Sequence, residues 1–154
     1  MSKSVLIKNA QKGFTLIELL VVIGVLAVLL AIVLIAINPA RQFSQSNNTK
    51  RASDVNAILN AVDQYAADNK GTIPASITTT SQAISNTAAD ICSAIVPTYI
   101  AALPVDPLTN NGTAVATCSG AYATGYTIVK SATDNRITVT APAAELGAAI
   151  SVTR

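Results

Sequence analysis

An unbroken apolar segment near the start of the chain restricts its possible folds more than any other feature. Positions 14–37 form a run of 24 residues that is apolar except for Thr15, Glu18 and Gly24. About 20 helical residues cross the hydrocarbon core of a bilayer, so the run is long enough to span one. A removable secretory signal has an apolar region of only about 7–15 residues closed by a small-x-small cleavage site. This run exceeds that length and does not obviously supply the site. Beyond Asn38 apolar and polar residues alternate, so the chain divides there into an anchor and a water-facing part of ordinary single-domain size.

The formal charge of +2 conceals a more informative distribution. Lys3, Lys8 and Lys12 precede the apolar run, which itself carries only Glu18. After Asn38, seven basic residues balance seven acidic ones. The water-facing part is therefore neutral, and no basic stripe marks a nucleic-acid surface. Arg41, Lys50 and Arg51 nearly match the three leader lysines across the run, so charge asymmetry favours a cytoplasmic N-terminus only slightly.

At the start of the run, positions 12–20 read KGFTLIELL. Behind a short basic leader, this string resembles the class III signal of type IV pilins and type II secretion pseudopilins: Gly, a cut, Phe, and Glu at the fifth position after the cut. The resemblance implies that a prepilin peptidase cleaves Gly13–Phe14 at the cytoplasmic face, removing 1–13, and methylates the new amine of Phe14. It also implies the orientation that charge counting leaves open. A glycine before the cut lets the backbone enter a protease cleft and disfavours helix through the scissile bond. Glu18, four residues after Phe14, needs a partner in apolar surroundings, and a neighbouring subunit's Phe14 ammonium would supply one during assembly. The plainer interpretation is an ordinary signal anchor whose Glu18 snorkels to the headgroups; it leaves the joint spacing of Gly, Phe and Glu unexplained.

Past the anchor, Asn38-Pro39 reads as a helix restart, with a kink or break. Val55, Ile58, Leu59, Val62, Tyr65 and Ala66 then recur at helical period, an apolar stripe that must be covered, until Asn69-Lys70-Gly71 stops the helix. Helical throughout, 14–70 would extend roughly 85 Å, a length without use in a compact monomer. The resemblance extends through this region: the family has a long N-terminal helix whose first half forms the filament core and whose second half backs a small sheet. Many pilins carry Pro inside the apolar segment, whereas here only Gly24 interrupts it, so local melting of 25–36 on assembly is left open.

Residues 71–87 are rich in Thr, Ser and small side chains and read as exposed loop. A short helix around 88–96 precedes Leu103-Pro104-Val105-Asp106-Pro107-Leu108, a proline-fixed bend similar to a segment before the sheet in many pilins and pseudopilins. Positions 125–130 and 136–141 read as strands of a hairpin with a five-residue loop, and 148–153 as a third strand. The expected fold is α+β: a long N-terminal helix, transmembrane in its first half and amphipathic in its second, on a small antiparallel sheet, with 38–154 as the soluble pilin head.

Cys92 and Cys118 both fall in the part expected outside the cytoplasm, where a disulfide persists; two buried free thiols are the alternative. Without His or Trp, histidine-based triads and zinc sites are not available, no Gly-rich phosphate loop occurs, and neither enzyme activity nor a cofactor is expected. Asp106, Asn110 and Asn111 offer oxygen ligands to Ca²⁺, but a turn through Asn111-Gly112 explains them as well and is preferred. The sequons at Asn47 and Asn111 are too short to carry weight.

The resemblance implies a structural pilus subunit that assembles as a homo-oligomeric filament. Its partners would be prepilin peptidase, the pilus assembly machinery and membrane lipid before assembly. It would pass from single-pass membrane protein to extracellular filament. A secretion pseudopilin or minor pilin shares the whole signature, and a membrane-anchored extracytoplasmic binding protein explains the helix alone.

Overall fold

A computed structural model describes residues 13–154. The basic stretch of the expected leader, 1–12, lies outside the described residues. Helix α1 runs over Leu16–Ile37, with a mean hydropathy of 3.5 across its most apolar window and none of its residues buried. At 1.5 Å per residue its 22 residues extend roughly 33 Å, enough to cross a hydrocarbon core. It ends where Asn38 adopts a left-handed conformation (φ 45), which asparagine tolerates better than branched residues. Helix α2, Pro39–Asp68, opens on a proline, whose missing N–H costs nothing in a first turn. The break expected at Asn38-Pro39 is present, although Asn38 closes the first helix. The described residues form two compact units divided between Pro39 and Ala40.

In the second unit, α2 is followed by strand β1 (Gln82–Ser85), helix α3 (Cys92–Ile95), a 3₁₀ turn (Asn110–Gly112) and strands β2 (Ala123–Lys130), β3 (Ile137–Thr140) and β4 (Ser151–Thr153). The strands form one antiparallel sheet in the order β1-β2-β3-β4, with Ile128 opposite Val139 and Val139 opposite Val152. Alternate residues of β2 and β3 (Tyr126, Ile128, Ile137, Val139) turn inward, as the two-residue period of a strand requires. They meet Val55, Ile58, Leu59 and Val62 of α2 in one core. Each of these four helix residues is fully buried, worth about 1.5–3 kcal/mol against exposure. The expected α+β architecture is the observed one. Tyr65 and Ala66 finish the stripe at the core's margin, half-buried.

Three local expectations are corrected. The segment 71–87 is not all loop, because Gln82–Ser85 pairs with β2 as a fourth strand with Ile84 buried. Tertiary pairing overrides the weak strand preference of QAIS. The helix around 88–96 shrinks to the four residues of α3, where Asp90 accepts from the Cys92 N–H and from the Tyr122 hydroxyl. The last strand occupies three residues and not the six from 148 to 153.

Candidate functional site

The start of α1 is a reciprocal cap. Thr15, extended at φ −80 and ψ 154, accepts the Glu18 N–H on Oγ1 at 3.2 Å. Glu18 Oε2 in turn accepts the Thr15 N–H at 2.8 Å and the Thr15 hydroxyl at 2.7 Å. Such a box satisfies donors that a helix start leaves unpaired, and the carboxylate sits at the end of the helix that favours an anion. Helix begins only at Leu16, leaving Gly13 and Phe14 in irregular, exposed backbone. The spacing of Phe14 and Glu18 therefore does not place them on one helical face, because Phe14 precedes the cap. A Cβ at Gly13 would meet nothing within 4 Å, so crowding inside the chain gives no reason for glycine there. Thr15 is a contributor that the sequence reading passed over, although Thr-x-x-Glu before an apolar run is a recognisable signature.

In the second unit, Cys92 at the start of α3 and Cys118 ahead of β2 are joined by a disulfide, with Cα atoms 5.6 Å apart. Cys92 is buried and Cys118 partly so. The link fastens α3 to the chain entering the sheet.

Sequence reasoning missed a buried polar cluster. Arg51 of α2 and Asp106 of the proline bend are both fully buried. Arg51 Nε donates to Asp106 Oδ2 at 2.6 Å and Nη2 to Oδ1 at 3.2 Å. Its Nη1 donates to Glu145 Oε2 at 2.8 Å and to Asn48 Oδ1 at 3.1 Å. Glu145 also receives the Ser44 hydroxyl and the Asn47 amide, each at 2.9 Å. Asn48 pairs with the Glu145 backbone in both directions. Beside them, Lys50 Nζ donates to Val105 O at 3.0 Å. One stretch of α2 thus holds the proline bend and the loop before β4. Gly125, at φ +81, makes room for the bend: a Cβ there would lie 2.8 Å from Asp106 Cβ.

Burial pushes the Asp106 carboxyl upward, but hydrogen bonds from Arg51 and the Leu108 N–H outweigh it and leave the group below its ordinary range. Asn47, then Arg51 and Ser44, hold Glu145 below its ordinary value too. Arg51 is pushed up, chiefly by Asp106. With its oxygens engaged by Arg51 and the Leu108 N–H, Asp106 serves an ion pair, and Asn110 and Asn111 form a left-handed turn. Among the described residues no three His, Cys, Asp or Glu side chains gather as metal ligands. The Asn47 sequon amide is bound to Glu145.

Residues 8–34 match the family model of the prokaryotic N-terminal methylation motif. The chain is 33% identical over 114 residues, 73% of its length, to the fimbrial protein EcpC of Eikenella corrodens. It is 39% identical over 62 residues to the type II secretion system core protein G of Aeromonas hydrophila, and 44% identical over 64 residues to the type IV major alpha-pilin of Moraxella bovis. The last two alignments each cover 40% of this chain. The matches span 65%, 42% and 38% of those relatives' lengths, respectively. No solved structure gives a significant match.

Proposed function

The chain belongs to the type IV pilin and pseudopilin family, and from that membership we propose that it is the structural subunit of a type IV pilus, its major pilin. The precursor is held in the cytoplasmic membrane by 14–37 with the head, 38–154, outside. Prepilin peptidase removes 1–13 by cutting Gly13–Phe14 and methylates the amine of Phe14. The assembly machinery then draws the subunit from lipid into a filament with α1 at its centre, where Glu18 meets the Phe14 ammonium of a neighbouring copy. The role is structural, not catalytic, and Cys92–Cys118 braces the head.

The observation that carries this reading is the capped start of a fully exposed apolar helix. Twenty-two residues, with a mean hydropathy of 3.5 across their most apolar window, are exposed on their own chain, so in water they must be buried against other copies. The cap leaves Gly13–Phe14 outside the helix, which suits a protease. A secretion pseudopilin is the second reading, favoured by the similarity to core protein G of Aeromonas hydrophila.

Mass spectrometry of filaments sheared from the cell surface tests the proposal. This chain, beginning at methylated Phe14, should be their bulk component. Its absence from surface filaments would favour the pseudopilin reading, and Met1 or Ser2 at the N-terminus of filament protein would refute the processing scheme.

A further inference from the structure

Asn111-Gly112 is the one Asn-Gly pair in the sequence. Such a pair is chemically labile: the backbone nitrogen after an asparagine can attack the side-chain carbonyl, and glycine puts neither a side chain nor a stiff backbone in the way. Asn111 is exposed, so water reaches it. The turn nevertheless requires the pair. Asn110, Asn111 and Gly112 hold consecutive left-handed φ values of 46, 53 and 65. Asparagine tolerates that region better than most residues with a side chain, and glycine best of all. A Cβ on Gly112 would also lie 3.3 Å from both Lys50 Nζ and Pro107 Cα.

We propose that Asn111 is a latent modification site, closed by the native turn and converted to aspartate and isoaspartate when the proline bend opens. In the reaction the Gly112 nitrogen bonds to Asn111 Cγ and gives up its proton, the Cγ–Nδ2 bond breaks, and the departing amide nitrogen takes up a proton and leaves as ammonia. Water then opens the five-membered imide at either carbonyl, which yields aspartate or isoaspartate. One water is consumed, one ammonia is released, and nothing is oxidised or reduced.

The native geometry opposes ring closure in two ways. The Gly112 N–H donates to Thr109 O at 2.9 Å, which occupies the attacking nitrogen. Closure also needs that nitrogen to eclipse Cβ about the Cα–C bond of Asn111, whereas at ψ 27 it points to nearly the opposite side. Rotating it into place would break the Thr109 bond and the one from the Thr113 N–H to Asn110 O at 3.1 Å. The turn is in turn held by the bend: the Thr109 N–H donates to Asp106 O at 2.9 Å, Lys50 Nζ to Val105 O at 3.0 Å, and the Asp106 carboxylate is bound by buried Arg51. Protection of Asn111 therefore derives from the same buried ion pair that fastens the bend to α2. Conversion leaves a new carboxylate, and in isoaspartate an added backbone methylene, beside the close approach of Gly112 to Pro107, so each converted chain records an opening.

The test uses the full-length chain in detergent with its disulfide intact, held at neutral pH either folded or unfolded in urea. Mass spectrometry of the proteolytic peptide that carries Asn111 follows loss of the amide, and chromatography separates aspartate from isoaspartate. Conversion in the folded chain should be at least about tenfold slower than in urea, because it waits on local opening. Asp106→Asn should speed conversion of the folded chain severalfold and leave the rate in urea unchanged, with disulfide and circular dichroism confirming the fold. Lys50→Met, which leaves the buried pair in place, supplies the same comparison should the first variant not fold. Equal rates in the folded and unfolded chain would overturn the protection, and an Asn111 that stays intact in urea would overturn the site. A folded-state rate raised by neither variant would overturn its dependence on the bend.

Discussion

Replacing Asp106 by asparagine keeps the shape of the side chain and removes one charge from a fully buried pair. Arg51 Nε and Nη2 then lose an anionic acceptor that they approach at 2.6 and 3.2 Å, and Glu145 alone remains to balance the guanidinium. Breaking a buried pair by removing one partner typically costs about 3–5 kcal/mol, because the other charge stays buried without compensation. A domain of the size of 40–154 has about 5–15 kcal/mol of stability in total, so roughly a fifth or more of it is at stake. Urea unfolding of oxidised 40–154 at neutral pH measures the loss as a fall in midpoint at nearly constant slope. The pH dependence gives a second measure. Asp106 titrates below its unfolded value of about 3.9, so its contribution is complete above that value and is lost as pH falls through the folded one. Asp106→Asn should therefore flatten the acid limb of the stability profile. A loss under about 1 kcal/mol, or an acid limb identical to that of the unsubstituted head, would refute the assignment of a buried, charged pair.

Gly13→Val should leave the precursor uncut while the chain still reaches the membrane, as read by N-terminal sequencing and membrane fractionation; normal cleavage would remove the role assigned to that glycine. Reduction of Cys92–Cys118, which closes a separation of 26 residues, should lower head stability by about 3–4 kcal/mol in the loop-entropy model, measured by urea unfolding with and without reductant. Gly125→Ala should cost about 1–3 kcal/mol from its left-handed backbone alone, with the approach to Asp106 Cβ adding to it, and thermal unfolding would expose a neutral outcome.

The features legible in the sequence are those written in short-range pattern. The apolar run, the helix break at Asn38-Pro39, the stripe from Val55 to Val62 and the β-branched hairpin each depend on neighbours a few residues apart. Strand β1 was hidden because QAIS has little strand character and owes its conformation to β2, some forty residues later. The Arg51 cluster was hidden for a similar reason. Arg51 follows Lys50 on a polar stretch of helix and reads as solvated, whereas its carboxylate partners lie 55 and 94 residues away. Two signals pointed toward it: Asp106 inside a rigid bend of prolines, and Gly125 inside an otherwise β-branched strand. Thr15 differs, since its capping box is local, a Thr-x-x-Glu spacing at the head of the apolar run.

The cap changes what Glu18 must do during assembly. In the single chain its Oε2 already accepts two hydrogen bonds from Thr15, so a neighbour's Phe14 ammonium would meet a carboxylate with one oxygen already engaged. In the proposed filament the intersubunit pair would add charge neutralisation to an existing cap, or take the carboxylate over, and only the difference would favour assembly. Substitution by alanine cannot separate these functions, because it deletes cap and charge together. Glu18→Gln separates them: glutamine serves in a capping box much as glutamate does, but offers an ammonium no charge. If the charge pair drives assembly, Glu18→Gln inserts and is cleaved normally yet assembles as poorly as Glu18→Ala. Thr15→Val makes the complementary change, removing the hydroxyl while keeping the carboxylate. It should fray the first turn of α1 and leave the pairing charge in place, so filaments should still form. The measurement is sheared filament yield for the three variants at equal cleaved subunit in the membrane. Full yield from Glu18→Gln with loss from Thr15→Val would reverse the assignment, making Glu18 a capping residue and leaving the register between subunits to the apolar surface of α1.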